Sequence, residues 1–180
     1  MRYDPQIHRR KSIRLKGYDY SSPGAYFVTI CTHNRQSTLG FIKNEEVFLS
    51  EWGRIVLEIW EEIPHHHSRI ALDEFVIMPN HVHGILWLTD LETGSAGSAP
   101  TTEKAKFGKI LPKSLSSVIR SFKSEVTREI NLSRKIQGGR FWQRNYFEHI
   151  VRNDDDLFNI RKYIQENPAK WESDRYFSPG

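Results

Sequence analysis

The sequence has little of what stabilises secreted or membrane proteins. Among its 180 residues Cys31 is the only cysteine, which excludes an intramolecular disulfide. No apolar run approaches the roughly 20 residues that a membrane-spanning helix needs. The first residues are rich in arginine and lysine and lack the apolar segment of a secretory signal. We therefore expect a soluble protein of the cytoplasm.

The composition is that of one globular domain. Hydrophobic residues make up 38% of the chain and aromatic residues 12%, enough for a substantial core. We expect a basic arm over residues 1–22 and a single domain over residues 23–175. Gly, Ser, Thr, Pro and Lys dominate residues 90–112, which predicts a flexible surface insertion there.

Positive charge is concentrated in two segments, although the net charge of the chain is only +4. Residues 1–16 contain six Lys or Arg and one acidic residue, and residues 104–144 contain eleven Lys or Arg and two. The remaining chain is therefore acidic overall. Clustered cations displace counterions from a phosphate backbone, so this segregation favours binding of nucleic acid. An ordinary solvated surface with a basic tail is the alternative.

The most informative stretch is Met78-Pro79-Asn80-His81-Val82-His83-Gly84 and the apolar residues after it. A Pro-Asn turn followed by branched and aromatic residues predicts a β-strand. Side chains alternate along a strand, so His81 and His83 leave the same face. Such a pair provides two metal ligands if a third lies nearby. Without one, it is a half-buried strand with two solvated histidines.

The order of predicted elements indicates an α+β fold. We expect strands over residues 25–32, 70–78 and 81–88, an extended segment over 141–151, and short extended pieces near 38–42 and 47–49. Helices are expected from Ser50 to a stop at Pro64, from Ser114, and from Asn153 to about Asn167. The simplest architecture is a ferredoxin-like or RRM-like antiparallel sheet with helices packed on one side.

The last predicted helix carries the groups that the histidine pair lacks. Tyr163 and Asn167 are four residues apart and therefore share a helix face. The Asn167 amide oxygen is a candidate third ligand, and His149 is its rival. Tyr146 lies in an aromatic block, but the residue four positions on is Ile150, so we expect it to pack in the core.

These motifs together resemble a known family. His81-Val82-His83 is similar to the His-hydrophobic-His motif of the HUH nucleases, and residues 162–168 resemble the tyrosine helix of their single-tyrosine transposases. Phe141-Trp142-Gln143-Arg144, with the Glu148-His149-Ile150 block and Asn167-Pro168, narrows the resemblance to the REP-associated tyrosine transposases. Each motif alone is weak, but their combination in this order is specific. The resemblance runs from about residue 25 to residue 171.

The resemblance implies an HUH endonuclease core that cleaves and rejoins single-stranded DNA. Tyr163 would be the nucleophile, forming a 5′-phosphotyrosine intermediate and a free 3′-hydroxyl. His81, His83 and Asn167 would hold Mg²⁺ or Mn²⁺, which suit nitrogen and oxygen ligands with open water positions. The implied substrates are hairpins of repetitive extragenic palindromes (REP). We expect a monomer in the bacterial cytoplasm that is nucleoid-associated when bound to DNA.

The basic segments supply the candidate DNA contacts, namely Arg10, Lys11, Arg120, Lys123, Arg140 and Arg144. A non-catalytic RRM-like module that binds single-stranded nucleic acid would use the same groups without chemistry. A metal-dependent nuclease that uses water as its nucleophile would use the histidines without Tyr163. Both remain open from the sequence.

Overall fold

The computed structural model describes residues 18–90 and 114–177. In chain order, its strands and helices are β1 (Gly24–Cys31), β2 (Gly40–Lys43), β3 (Glu46–Leu49), α1 (Glu51–Glu61), α2 (Ile63–His66), β4 (Ile70–Met78), β5 (His81–Leu88), α3 (Leu115–Ser133), β6 (Phe147–Ile150) and α4 (Asp154–Glu166). No helix in these ranges is long and apolar enough to cross a bilayer.

Four strands form one antiparallel sheet in the order β4-β5-β1-β6, and β2 and β3 form a separate hairpin. The central pair, β1 and β5, is continuous in register from Gly24 opposite Leu88 to Cys31 opposite His81. This order is that of a ferredoxin-like fold, so the predicted antiparallel α+β architecture is confirmed. The predicted β4–β5 hairpin is confirmed as well.

One face of the sheet packs on α1 and α3 and contains most of the core. Tyr26 and Val28 of β1 join Val56 and Trp60 of α1 and Phe122 of α3 in one apolar cluster. Period-2 alternation sends these strand positions to the same side. Gly84 of β5 permits the close approach of α1, because a Cβ there would lie 2.3 Å from the Trp60 ring.

The opposite face packs on α4. Phe27 of β1 and Ile85 of β5 join Leu157 and Ile164 of α4 in a second, smaller cluster. The prediction of helices on one side therefore holds for α1 and α3 and is wrong for α4. The physical reason is that β1 and β5 are apolar at both odd and even positions, so both faces of the central strands require cover.

The predicted helix starts are confirmed. Ser50, Ser114 and Asn153 each accept a hydrogen bond from a backbone N–H in the first turn of α1, α3 and α4. Pro64 does not simply end a helix. It occupies the first turn of the short helix α2, where the missing N–H of proline is not needed.

The extended segment predicted over residues 141–151 is shorter in the structure. Only Phe147–Ile150 forms a strand, and Trp142 makes an isolated bridge with Thr32. Between them, the Lys123 ammonium donates to the carbonyls of Gln143 and Arg144. Those carbonyls are turned towards α3 and do not extend the sheet.

Two predicted regions fall wholly or mainly outside the described residues. These are the basic arm up to residue 17, including Arg10 and Lys11, and the predicted insertion over residues 90–112, of which only Asp90 is described. The end of the predicted arm belongs to the folded body. Tyr18 and Tyr20 pack against Tyr26, and the carbonyl of Tyr20 accepts from the N–H of Leu115.

Candidate active site

The two histidines begin β5 and face α4. Both are completely buried, and their Nε2 atoms are 3.0 Å apart. His83 lies opposite Thr29 in the register of β1 and β5, and its ring stacks on Phe27. The strand alternation expected from the sequence therefore places both imidazoles on the same face, where their nitrogens converge.

Neighbouring polar groups fix the orientation of both rings. The Nδ1 of His81 is 2.8 Å from Asn80 Oδ1, and the Nδ1 of His83 is 2.8 Å from Thr29 Oγ1. Asn80 donates through Nδ2 to the carbonyls of Arg35 and Tyr176, which points its amide oxygen at His81. His81 therefore carries its proton on Nδ1 and presents a lone pair at Nε2.

Burial keeps the histidine pair uncharged. It lowers the pKa of His81 to about 4, helped by the nearby Arg175 and Arg35 and opposed by Asp174. Burial and the adjacent His81 lower the pKa of His83 well below the ordinary value. Neutral imidazole is the form that binds a metal ion, so the pair is ready to act as ligands at neutral pH.

Helix α4 brings Tyr163 to the same point. Its hydroxyl is 3.2 Å from His83 Nε2 and donates to Asp174 Oδ2 at 3.4 Å. Tyr163 is 39% exposed, so the residue lies at the surface of the site. Burial and the Asp174 charge raise the pKa of Tyr163 to about 12, which keeps the phenol protonated without a nearby cation.

A salt bridge anchors α4 to the sheet of its own chain. Arg161 donates through Nε and Nη2 to the two carboxylate oxygens of Asp73, at 2.9 and 2.6 Å. Asp73 lies in an irregularity of β4 between Leu72 and Phe75 and also accepts from the Trp87 indole. Tyr163 is therefore held against the histidines of the same polypeptide.

Asn167, the predicted third ligand, lies at the end of α4 and is 2% exposed. Its Nδ2 donates to Asp174 Oδ2 at 3.1 Å, whereas its Oδ1 is buried without a hydrogen-bond partner. A buried amide oxygen without a partner is unfavourable unless a ligand or water satisfies it. The orphaned oxygen is therefore consistent with a ligand role.

Asp174 is the functional candidate that sequence reasoning missed. One of its carboxylate oxygens and ring nitrogens of His81 and His83 all lie within 4.8 Å of one another. It follows Pro168 in a segment without helical or strand periodicity, so no pattern predicts its position. The next residue but one, Tyr176, packs on the His81 ring at 4.8 Å between centroids. Residues 174–176 thus form one wall of the site.

The donor set fits a hard divalent cation. Two ligands of an octahedral ion at 2.0–2.1 Å are about 3 Å apart when adjacent, and the two histidine nitrogens are separated by 3.0 Å. The carboxylate of Asp174 and the orphaned oxygen of Asn167 add the oxygen chemistry that Mg²⁺ and Mn²⁺ prefer. His81, His83, Asn167 and Asp174 would hold such an ion.

The rival residues are engaged elsewhere. His149 Nε2 lies 2.8 Å from the carboxylate of Asp156 in the first turn of α4, and His149 is outside the His81, His83 and Asp174 cluster. Tyr146 packs against the core cluster under α1 and α3, as expected.

The predicted DNA contacts are dispersed. Arg120 is exposed on α3, on the face of the sheet opposite to Tyr163. Lys123 is engaged by two carbonyls, and burial lowers its pKa to about 8. Arg140 and Arg144 are exposed on the segment between α3 and β6. Among the predicted contacts that the structure describes, only Arg140 and Arg144 are exposed and lie outside a helix.

Comparisons with known proteins agree with this geometry. The family described as Transposase IS200 like matches residues 110–167. An uncharacterised Haemophilus influenzae protein is 38% identical over 98% of this chain and 97% of its own length. A second H. influenzae protein, provisionally named a REP-associated tyrosine transposase, is 28% identical over 84% of this chain and 74% of its own length.

A solved structure shares the fold. It is a REP-associated tyrosine transposase bound to a REP hairpin, with a TM-score of 0.57 and 20% identity, and the match covers 87% of this chain and 73% of that one. Its four-stranded sheet and packed helices correspond to those described above. The histidine pair, the tyrosine helix and these matches together identify the chain as a transposase of the HUH type that is similar to the REP-associated tyrosine transposases.

Proposed function

We propose that this transposase cleaves and rejoins single-stranded DNA through a covalent bond between Tyr163 and a 5′-phosphate. The observation that carries the proposal is the position of the Tyr163 hydroxyl, 3.2 Å from His83 Nε2 in a half-exposed site. A nucleophile beside two neutral histidines is the arrangement required for metal-assisted phosphoryl transfer. An RRM-like binding module has no need of it.

The proposed chemistry is a direct exchange of phosphoester bonds. The Tyr163 hydroxyl loses its proton to solvent as its oxygen attacks phosphorus, the 3′-oxygen leaves and takes up a proton, and the 5′-phosphate remains on the tyrosine. The 3′-hydroxyl of another strand reverses the step, so no external energy source is required. Packing of α4 on the sheet holds the phenol in place and contributes through proximity and orientation.

His81, His83, Asn167 and Asp174 are proposed to bind Mg²⁺ or Mn²⁺, and the carboxylate of Asp174 also balances part of the charge of the ion. A bound cation would polarise the scissile phosphate and favour the ionised tyrosine. The rings are held by Asn80 and Thr29, so the ligand nitrogens need not reorganise on binding. Binding of Mn²⁺, followed by electron paramagnetic resonance, should weaken in Asn167→Ala, and unchanged affinity would remove Asn167 from the ligand set.

The proposed substrate is a hairpin with flanking unpaired DNA, and the support for the hairpin is the related structure, which is bound to a REP hairpin. A monomer is sufficient, because Asp73 and Arg161 attach the tyrosine helix to its own sheet. Mixing Tyr163→Phe with His81→Ala should therefore give no activity. Restored activity would show that the tyrosine and the histidines of different chains combine.

The direct test is formation of a covalent adduct. The full chain is incubated with end-labelled hairpin DNA and Mn²⁺ or Mg²⁺, and the products are separated on a denaturing gel. Tyr163→Phe and His81→Ala should abolish the adduct, whereas the matched variants Tyr146→Phe and His65→Ala should retain it. Cleavage without an adduct would indicate a nuclease that uses water, and binding without cleavage would indicate a binding module.

A further inference from the structure

A second concave site lies beside the histidine pair and is absent from the function proposed so far. It is a cavity of about 500 Å³, a size typical of sites for small ligands. Its walls are the loop after β1, the start of α1 and the segment that follows α3. Three arginines and two aromatic residues line it, namely Arg35, Arg134, Arg140, Trp52 and Phe141.

The charged residues that line this cavity are all positive. None of the described residues that line it is acidic, and no ion pair within the described ranges engages Arg134 or Arg140. Three arginine residues therefore line one concave surface, and none of its described lining residues supplies a neutralising carboxylate. Such a surface attracts an anion, and guanidinium binds phosphate through two parallel hydrogen bonds.

The aromatic wall adds a stacking surface. Arg134 lies over the Trp52 ring at 5.0 Å, and Phe141 meets the same ring edge to face. An indole face and a guanidinium plane are the two surfaces on which unpaired bases stack. The cavity thus combines both parts of a nucleotide site, an anion-binding side and a base-binding side.

The loop after β1, which forms one wall of the cavity, is held in a fixed conformation. Asn34 and Arg35 both have positive φ angles, of 55° and 54°, which L-residues rarely adopt. The hydroxyl of Thr32 donates to the carbonyl of Gln36, and the Asn80 amide donates to that of Arg35. Because several hydrogen bonds hold the loop, the cavity is largely preformed and needs little ordering on binding.

The cavity is also connected to the histidine pair. The carbonyl of Arg35 accepts from Asn80 Nδ2, and the same amide presents Oδ1 to His81. The Arg35 guanidinium donates to the carbonyl of Arg175, next to Asp174. The Asn80 side chain therefore links the loop that lines the cavity to His81.

We propose that this cavity holds one unpaired nucleotide of the DNA strand, with its base on Trp52 and Arg134 and its phosphate on Arg35 and Arg140. The proposal rests on the proposed function for the identity of the strand as DNA. The proposal assigns Trp52, Arg134 and Arg35 to substrate binding in addition to Arg140. The stacked base belongs to an unpaired nucleotide, so its binding does not depend on base pairing within the hairpin.

Binding measured without chemistry tests the proposal. Fluorescence anisotropy is recorded in EDTA with the full chain and a hairpin carrying an unpaired 5′ extension of about 12 nucleotides. The double variant Arg134→Gln/Arg140→Gln should bind at least about fivefold more weakly, and the dependence of log K on log salt should fall by about 0.7 for each arginine that contacts a phosphate. The matched control, Lys43→Gln/Arg54→Gln, removes the same charge from exposed positions outside the cavity.

An abasic scan identifies the stacked nucleotide. Replacing each base of the extension in turn by an abasic site should weaken binding at one position, by about fivefold or more, in the unaltered protein. Trp52→Leu should remove that dependence while leaving the binding of the abasic DNA unchanged. Circular dichroism and thermal melting establish that each variant is folded, and Arg134→Gln provides a second substitution that keeps Trp52 and its contact with Phe141.

The proposal is overturned if the arginine pair and the control pair bind alike, or if no abasic position matters. These outcomes are distinct from failure of the proposed chemistry. A protein that forms the Tyr163 adduct but binds DNA independently of the cavity contradicts only this inference. A protein whose cavity binds the extension but which forms no adduct contradicts only the proposed reaction.

Discussion

The two faces of the central sheet differ in composition: one is almost wholly apolar, and the other carries the buried polar residues of the candidate site. Against α1 and α3, the strands present a large apolar cluster centred on Tyr26, Trp60 and Phe122. Against α4, they present a small apolar patch and then a group of buried polar residues, including His81 and His83. The same two strands, β1 and β5, contribute to both. Stability and chemistry are therefore separated by the alternation of side chains along a strand.

The polar face is unfavourable for folding by itself. Desolvation of two neutral histidines and of an amide oxygen without a partner opposes burial. The Asp73–Arg161 pair and the small cluster around Phe27 offset part of this, but the large cluster on the opposite face supplies most of the apolar burial. Sites of this kind are commonly less stable than an apolar alternative would be.

The largest effect on stability should come from the apolar face. Trp60 is fully buried and makes an edge-to-face contact with Phe122 at 5.2 Å. Trp60→Ala should lower the free energy of unfolding by roughly 3–5 kcal/mol, through lost burial and the cavity left behind. His83→Ala, on the polar face, should change it by about 1 kcal/mol or less and abolish the adduct. Chemical denaturation measures both, and equal losses would contradict the division between the faces.

A smaller effect should follow from detaching α4. The hydrogen bond from the Arg161 guanidinium is the largest cause that lowers the pKa of Asp73, to about 2. The Asp73 side chain is mostly buried. Asp73→Asn should cost about 1–2 kcal/mol and slow adduct formation, because the tyrosine helix is less firmly positioned. Gln165→Ala, which removes an exposed contact of α4 with Glu74, is the control and should change little.

The same carboxylate predicts a pH dependence. A lowered folded-state pKa means that its stabilisation is complete above about pH 4 and is lost as the pH falls towards the folded value of about 2. The difference in unfolding free energy between the unaltered protein and Asp73→Asn should therefore shrink across this window. A difference that stays constant from pH 5 to about pH 2 would show that the ion pair does not hold α4 in solution.

The smallest effects on the free energy of unfolding should come from the helix caps. Ser50 caps α1 on one face of the sheet and Asn153 caps α4 on the other, so the same kind of substitution can be compared on both faces. Ser50→Ala and Asn153→Ala each remove one cap hydrogen bond, which should cost about 1 kcal/mol. Ser50→Ala also removes the hydrogen bond that the hydroxyl donates to the Thr38 carbonyl. Only Asn153, which begins the helix that carries Tyr163, should also alter the rate of adduct formation. Thermal melting and adduct kinetics on the two variants check this, and an equal change in rate would contradict it.

The sequence predicted the parts of the site that follow local periodicity. Strand alternation places His81 with His83, and the helical repeat places Tyr163 with Asn167, so each pair is readable in a short window. Asp174 is not, because its position depends on how the segment after Pro168 folds back over the sheet. The side of the sheet on which α4 packs was also missed, since apolar residues at both odd and even positions of β1 make both faces of the strand suitable for packing.

The predicted DNA contacts show the same limit. Counting charges identifies residues 104–144 as basic, but it does not separate Lys123, which holds backbone carbonyls, from Arg140, which remains exposed. The cavity beside the histidines joins Arg35, Trp52 and Arg140 from three distant segments. Such a site depends on tertiary packing, and no spacing in the sequence indicates it.

The central claim is that Tyr163 attacks DNA beside the histidines of its own chain. The most direct measurement is mass spectrometry of the adduct after nuclease and protease digestion, with the modified residue located by fragmentation. We expect a nucleotide joined through its 5′-phosphate to the peptide that contains Tyr163. An adduct on any other residue, or efficient strand transfer without an adduct, would contradict the account.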